Sequence, residues 1–336
     1  MNEAATMTRP QERTKFLALP GFEVRLASLL NSGALVNGWL ITGGEGNGKA
    51  TLAFRLARAL LWRERPVDNN DLHVPEDSRA FALVASGGHP DLFVAARKYD
   101  EKKERYATEI SVETIRDLTM FLNHTASMGG WRVAIVDTAD DLNRNSANAL
   151  LKALEEPPAR TAIFLLSATP GRLLATIRSR CRRIDLRPLD NETIRAFLIE
   201  EGAAKGEAAT KIAREAGGRP GYALSLALSD GAEAIELADD FWRRLNAGEG
   251  ALDIASKLVG KNADAVWPTF QSIFIDRVTA EARRLANAND KLAAEFARMR
   301  ERSSSLFARG NALNLDRAQV LYAVEREFKS LTAVSQ

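Results

Sequence analysis

Cysteine is nearly absent from the 336 residues: Cys181 stands alone, which rules out an intrachain disulfide framework and a cysteine-rich zinc module. The three histidines, His73, His89 and His124, are scattered, so they read as surface or helix-end residues and no metal site is expected. Charge of one sign is missing too. With 46 Lys+Arg against 44 Asp+Glu the net charge is +2, and any DNA contact must be local or shared with partners. No apolar run reaches the length of a membrane span, and the opening MNEAATMTRPQERTKF has no signal-peptide core. The expectation is a cytoplasmic chain with no membrane contact. What is plentiful is apolar residues, 46% of the total, enough at this length for two or three domains with buried cores.

The richest stretch runs from Trp39 to Thr51, an apolar run followed by Gly43-Gly44-Glu45-Gly46-Asn47-Gly48-Lys49 and a helical pattern through Trp62. It reads as a buried strand delivering a loop of little side-chain bulk to a helix N-terminus, where unpaired N–H groups and the helix dipole favour a polyphosphate. Gly43, Gly48 and Lys49 fit the G-x-x-x-x-G-K spacing, in which glycines let the backbone approach phosphates and the lysine reaches the outer ones. A glycine-rich turn that binds nothing is the plainer alternative. The position that would place a hydroxyl on Mg²⁺ is Ala50, with Thr51 one residue beyond. Trp131 to Asp137 is a second apolar run, ending in a carboxylate at the sheet edge where open α/β folds bind ligands. Asp137 is therefore the Mg²⁺-holding candidate, against the reading that it merely caps the next turn. The candidate nucleotide set is Gly43, Gly46, Gly48, Lys49, Thr51 and Asp137. After Asp137 comes Thr138, where an ATPase of this plan carries a glutamate to polarise water. Two catalytic requirements fail together.

Helical spacing over Gly21 to Leu30 leads through Asn31-Ser32-Gly33 to the first strand. Residues 63–105 read as a loop-rich insertion, with the basic cluster Arg97, Lys98, Lys102, Lys103 and Arg105 diluted by Asp100, Glu101 and Glu104 into a solvated face. Ser111 to Leu122 and Asn145 to Glu155 are amphipathic helices, the second closed by Pro157-Pro158; Ala162 to Ser167 and Ile184 to Leu189 are strands. Alternating strands and helices predict a doubly wound parallel sheet over residues 1–187. From Asp190 the strand signal ends. Three short helices, with Gly217-Gly218 closing the second and Pro220 opening the third, predict a lid domain over residues 188–233. Stripes at Trp267, Phe270, Phe274 and Val278, at Leu292, Phe296 and Met299, and at Val320, Leu321, Val324, Phe328 and Leu331 predict an all-α collar over residues 234–336, with assembly as its role.

GGWRVAIVDTADDLNRNSANALLKALEEPP, followed by LLSATPGRLLATIRSRC, resembles the clamp-loader branch of the AAA+ P-loop ATPases. The likeness is strong over residues 34–189 and rests on helical content alone after about residue 235. It implies that Arg180, the arginine of the SRC motif, points across a subunit interface at the γ-phosphate of a neighbour's ATP; the plainer alternative is a surface or sheet-capping arginine. Ser167 lies near the first-sensor position. The second-sensor place falls on Gly221, with Arg219 two residues early. Residues 62–90 hold no cysteine, so the zinc module of many relatives is absent. The implied role is a non-catalytic stator in a hetero-pentamer with motor and clamp-opening subunits. That assembly loads the sliding clamp at primer-template DNA, within a replicative DNA polymerase holoenzyme. ATP is the expected cofactor if any, with Ala50 counting against it, and no zinc is expected. The competing reading is an ATP-hydrolysing AAA+ motor, a motor clamp-loader subunit or branch-migration helicase, with Asp140 or Asp141 standing in for the missing glutamate. A small-molecule phosphotransferase has no acceptor pocket with a base to recommend it.

Overall fold

A computed structural model describes residues 8–31, 37–66, 70–101, 104–250, 252–258 and 263–334. Ser32, Gly33, Lys102 and Lys103 lie outside them. The chain divides into two compact units, one from the described residues of Thr6–Ile194 with Gly217–Tyr222, the other from Arg195–Ala216 with Ala223–Gln336.

In the first unit the elements run α1 (Phe22–Asn31), β1 (Gly38–Thr42), α2 (Lys49–Leu61), α3 (Arg79–Ala85), β2 (Leu92–Ala96), the ribbon β3 (Tyr99–Asp100) and β4 (Arg105–Tyr106), α4 (Val112–Asn123), β5 (Arg132–Asp137), α5 (Arg144–Glu155), β6 (Thr161–Ser167), α6 (Ala175–Arg180) and β7 (Arg182–Asp185). The main sheet is parallel, in the order β2-β5-β6-β1-β7. Each interior strand is apolar on both sides. Trp39, Ile41, Val133, Ile135, Phe164 and Leu166 join Leu52 and Leu56 of α2 in one core, while Leu40, Ala134, Val136, Ile163 and Leu165 meet Ile115, Leu118 and Leu150 in the other. That alternation, with helices on both faces, is what a doubly wound sheet requires. Helix starts are chemically specified: Ser111 accepts from Thr114 N at the head of α4, and Asn143 accepts from Asn145 N and Ser146 N at the head of α5.

Two expectations need correction. The stretch read as a loop-rich insertion contains α3 and the sheet's edge strand β2. An edge strand pairs on one side only, and Leu92, Phe93 and Val94 are not fully buried, so the apolar signal there is weak. His89, read as a surface residue, is 4% exposed; its Nδ1 accepts from Asp91 N at 3.1 Å and Nε2 has no hydrogen-bond partner among the described residues.

The second unit is helical. It holds the remainders of α7 (Asn191–Glu200) and α9 (Pro220–Leu228), then α8 (Gly206–Ala216), α10 (Gly231–Ala247), α11 (Leu252–Lys257), α12 (Ala263–Asn287), α13 (Ala293–Ala312) and α14 (Arg317–Val334). Phe241, Phe270, Phe274 and Phe307 interlock with Trp267 in its core, and the Trp267 Nε1–H and Gln271 both donate to Asn311 Oδ1, at 3.0 and 3.2 Å. The indole and amide are thereby satisfied inside an apolar core. No helix of the described residues is long and apolar enough to cross a membrane.

Candidate functional site

Register brings the carboxyl ends of the strands together: Thr42 lies opposite Ser167 on one side and Asp185 on the other, and Val136, next to Asp137, lies opposite Leu165. The glycine loop leaves this edge. Gly46 and Gly48 sit at φ 80° and 86°, the left-handed region that favours glycine. Space forbids a side chain at Gly46 as well, since a Cβ there would lie 2.6 Å from Tyr222 N. The loop is braced from that direction, because Gly221 N–H donates to Gly46 O at 2.8 Å. A Cβ at Gly221 would come within 3.0 Å of the same oxygen, which is a structural reason for glycine at the second-sensor place. Arg219 packs closer than its spacing suggested. Its guanidinium lies 4.2 Å from the centre of the Tyr222 ring, and its Cδ would be 3.5 Å from a Cβ built on Gly44.

Lys49 does not extend from the loop. Its ammonium donates to Gly43 O at 2.8 Å and Gly44 O at 2.9 Å. Burial pulls its pKa down, and the charges of Glu45, Asp140 and Asp137 pull it back up. Asp137 is pushed up by burial, opposed by a 3.3 Å hydrogen bond from Thr138 Oγ1 and by the Lys49 charge. Ala50 is packed against the core on one face of the sheet. Thr51 stands about 100° further round α2. Sequence reasoning missed Asn47 and Phe16. Buried Asn47 donates to Leu186 O at 3.0 Å, tying the loop to the end of β7, and the Phe16 ring stands 3.0 Å from where a Cβ on Gly48 would be. Phe16 is placed by buried arginines of α2: Arg58 donates to Gln11 O and Arg13 O, and Arg55 donates to Thr14 O while pairing with Glu23. A cleft of about 330 Å³, lined by Phe16, Phe22, Arg25, Asn47, Leu186 and Pro220, opens beside the loop. Backbone and lysine here fit a phosphate chain; the donor set for its magnesium, lacking a hydroxyl at residue 50, does not.

The acids after Asp137 are committed elsewhere. Asp140 accepts from Ser167 Oγ at 2.7 Å, Ala168 N at 2.6 Å and Thr169 Oγ1 at 2.9 Å, and Asp141 pairs with Arg97 at 3.0 Å. A carboxylate holding three donors of its own fold is poorly placed to polarise water. The motor reading, which gives that task to Asp140 or Asp141, is not favoured by this geometry. Ser167, the first-sensor candidate, is fully buried and spent on Asp140.

Arg180 lies at the opposite end of β1. It is the last residue of α6, its side chain 37% exposed, with Nη2 2.8 Å from Glu155 of α5 and Nη1 donating to Thr176 O at 3.1 Å. Its backbone packs closely on β1: a Cβ on Gly38 would lie 2.9 Å from Leu154 Cδ2, 3.2 Å from Arg180 O and 3.3 Å from Cys181 Sγ. The Cys181 thiol is pushed up to about 12 by burial, so it packs and does not react. Among the described residues there is no group of His, Cys, Asp or Glu that could hold a metal ion.

Fold and site together define an α/β protein with a P-loop, a five-stranded parallel sheet carrying its glycine loop between strand and helix, with a helical remainder. The profile of the family described as DNA polymerase III, delta subunit matches residues 20–190, and the chain belongs to that family. It is similar to the DNA polymerase III subunit delta' of Escherichia coli K12, 36% identical over 65% of this chain and 62% of that one. To the delta' subunit of Pseudomonas aeruginosa it is 41% identical over 43% of this chain and 40% of the other, and to that of Bacillus subtilis 31% over 50% and 47%. The match thus spans less than two thirds of each relative's length.

Proposed function

We propose that the chain acts as a delta'-type clamp-loader subunit, a stator without ATP turnover of its own. It would stand in a hetero-pentamer with motor and clamp-opening subunits, in the cytoplasm, and take part in loading the sliding clamp at primer-template DNA for the polymerase III holoenzyme. Three parts divide the work in this reading: the P-loop domain over residues 1–187, the lid over 188–233 and the collar over 234–336, through which the ring assembles. Gly43, Gly46, Gly48, Lys49, Thr51 and Asp137 are the residues that would hold ATP. Binding there would bring little chemistry, since residue 50 has no hydroxyl for magnesium and Thr138 has no proton affinity for the attacking water.

The contribution to hydrolysis comes instead from Arg180, which would reach the γ-phosphate of ATP on the adjacent subunit and stabilise the charge that develops there. A guanidinium is always charged and presents several donors to phosphate oxygens. One observation carries this reading: Arg180 is exposed on a backbone packed closely against Gly38, while in the same chain Lys49 is folded onto the carbonyls of its own loop.

The test is ATP turnover by the purified chain, alone and after mixing with motor and clamp-opening subunits, clamp and primed DNA. The isolated chain is expected to be silent, and turnover of the mixture to depend on it and on Arg180. Hydrolysis by the isolated chain that Lys49→Ala abolishes would instead make it a motor.

A further inference from the structure

We infer that Glu155 is a positioning residue for the Arg180 finger, holding its guanidinium in one place until the neighbour's phosphate arrives. The inference rests on the trans role proposed above for Arg180. Glu155 is the last residue of α5, and a carboxylate at a helix C-terminus faces the negative end of the helix dipole, so its location has no local justification. Its partner supplies one: Glu155 Oε1 stands 2.8 Å from Arg180 Nη2, while Thr176 O takes Nη1 at 3.1 Å. Nη1 also reaches Ser179 Oγ at 3.5 Å, so three of the five guanidinium N–H donors have partners within the fold, which leaves two for an incoming phosphate. The two motifs that seemed independent in sequence, ALLKALEEPP and SRC, are thus one device. Leu154 and the Arg180 carbonyl pack closely on Gly38 at the base of the finger, and Glu155 pairs with its tip.

An arginine side chain has many rotamers, and fixing it before the phosphate arrives removes an ordering cost from the step in which it acts. Both groups are partly solvated, side chains 37% and 46% exposed, so the pair is weak and yields readily to a phosphate of higher charge. The expected effect is accordingly modest.

The experiment measures kcat and KM for ATP in the reconstituted assembly with Glu155→Ala, Glu155→Asp, Arg180→Ala and the double variant, with assembly checked by gel filtration. Glu155→Ala should lower kcat by about two- to fivefold with KM unchanged. Glu155→Asp should restore part of the loss, and the double variant should match Arg180→Ala. A slow Arg180→Ala beside an unaffected Glu155→Ala overturns the positioning role and leaves the finger standing. Further loss from Glu155→Ala in the Arg180→Ala background also overturns it, because the glutamate would then act through something else. An unaffected Arg180→Ala removes the finger reading itself. Should Glu155→Ala fail to assemble, Glu155→Gln, which removes the charge and keeps the shape, decides the same question.

Discussion

The two ends of β1 make opposite use of similar parts. At its C-terminal end the glycine loop, Lys49 and Asp137 have the spacing of a nucleotide site, yet the lysine is folded back, Ala50 is packed against the core and the loop is bonded to Gly221. At its N-terminal end Gly38 packs closely against the backbone of an exposed arginine. A scaffold can therefore keep the geometry of a site for structural reasons, and in the function proposed above its chemistry lies on another surface. Glycine is required at Gly46 and Gly221 by packing alone, whether or not a phosphate ever arrives.

The largest expected effect tests the chemistry proposed for the Arg180 surface. Arg180→Ala should leave assembly intact and slow hydrolysis at the site it serves by about 10³-fold, the lower range for arginine fingers supplied in trans. Steady-state turnover of the reconstituted complex measures it, and an unchanged rate would return Arg180 to the status of a surface residue. Next in size is Gly46→Ala, which strikes the other end. At φ 80°, with Tyr222 N 2.6 Å from the new Cβ, it should destabilise the chain by about 2–4 kcal/mol in urea unfolding. A neutral outcome would mean that the contact between Gly46 and Gly221 is dispensable and that the loop's geometry has no structural purpose.

A third prediction separates the fold from both ends. Burial, with a smaller push from Arg79, holds the pKa of His89 below its ordinary value, against the pull of Asp91. The unfolded chain therefore binds this proton first as pH falls. The contribution is stable above the unfolded pKa of about 6.5 and is lost on acidification toward the lower folded value. Urea midpoints compared at pH 7.5 and 5.5 should fall less for His89→Gln than for the parent. Identical slopes would show that the ring finds a partner when protonated.

Much of this was legible in the sequence because it depends on local pattern. The strand, glycine loop and helix around Lys49, the cap at Ser111, and the stripes of the helical unit follow from spacing and propensity. What stayed hidden depends on partners distant in the chain. No signal within residues 92–96 shows that they close the sheet edge against Arg132–Asp137, because one-sided pairing needs no apolar alternation. Nothing beside His89 announces burial, and nothing in the glycine loop announces that Tyr222, 176 positions past Gly46, bounds it. Glu155 was visible as a letter of a motif; its task appears only when α5 and α6 lie side by side.

The smallest expected effect sharpens the comparison most. Ala50→Thr restores a hydroxyl at the magnesium position, and residue 50 is only partly buried, so the helix can accept the larger side chain. If the site were idle for want of that one ligand, the isolated chain would begin to turn over ATP. The structure gives reasons to expect otherwise. Thr138 still follows Asp137, Asp140 still holds the Ser167 hydroxyl, and Asp141 still faces Arg97, so neither acid of the following turn is free to take a proton from water. Nucleotide affinity in the presence of Mg²⁺ should rise by no more than about tenfold, the scale of one added charge-assisted contact. Turnover by the isolated variant should stay at background. Measurable hydrolysis would place the defect at residue 50 alone and make the two ends of β1 equal in chemistry.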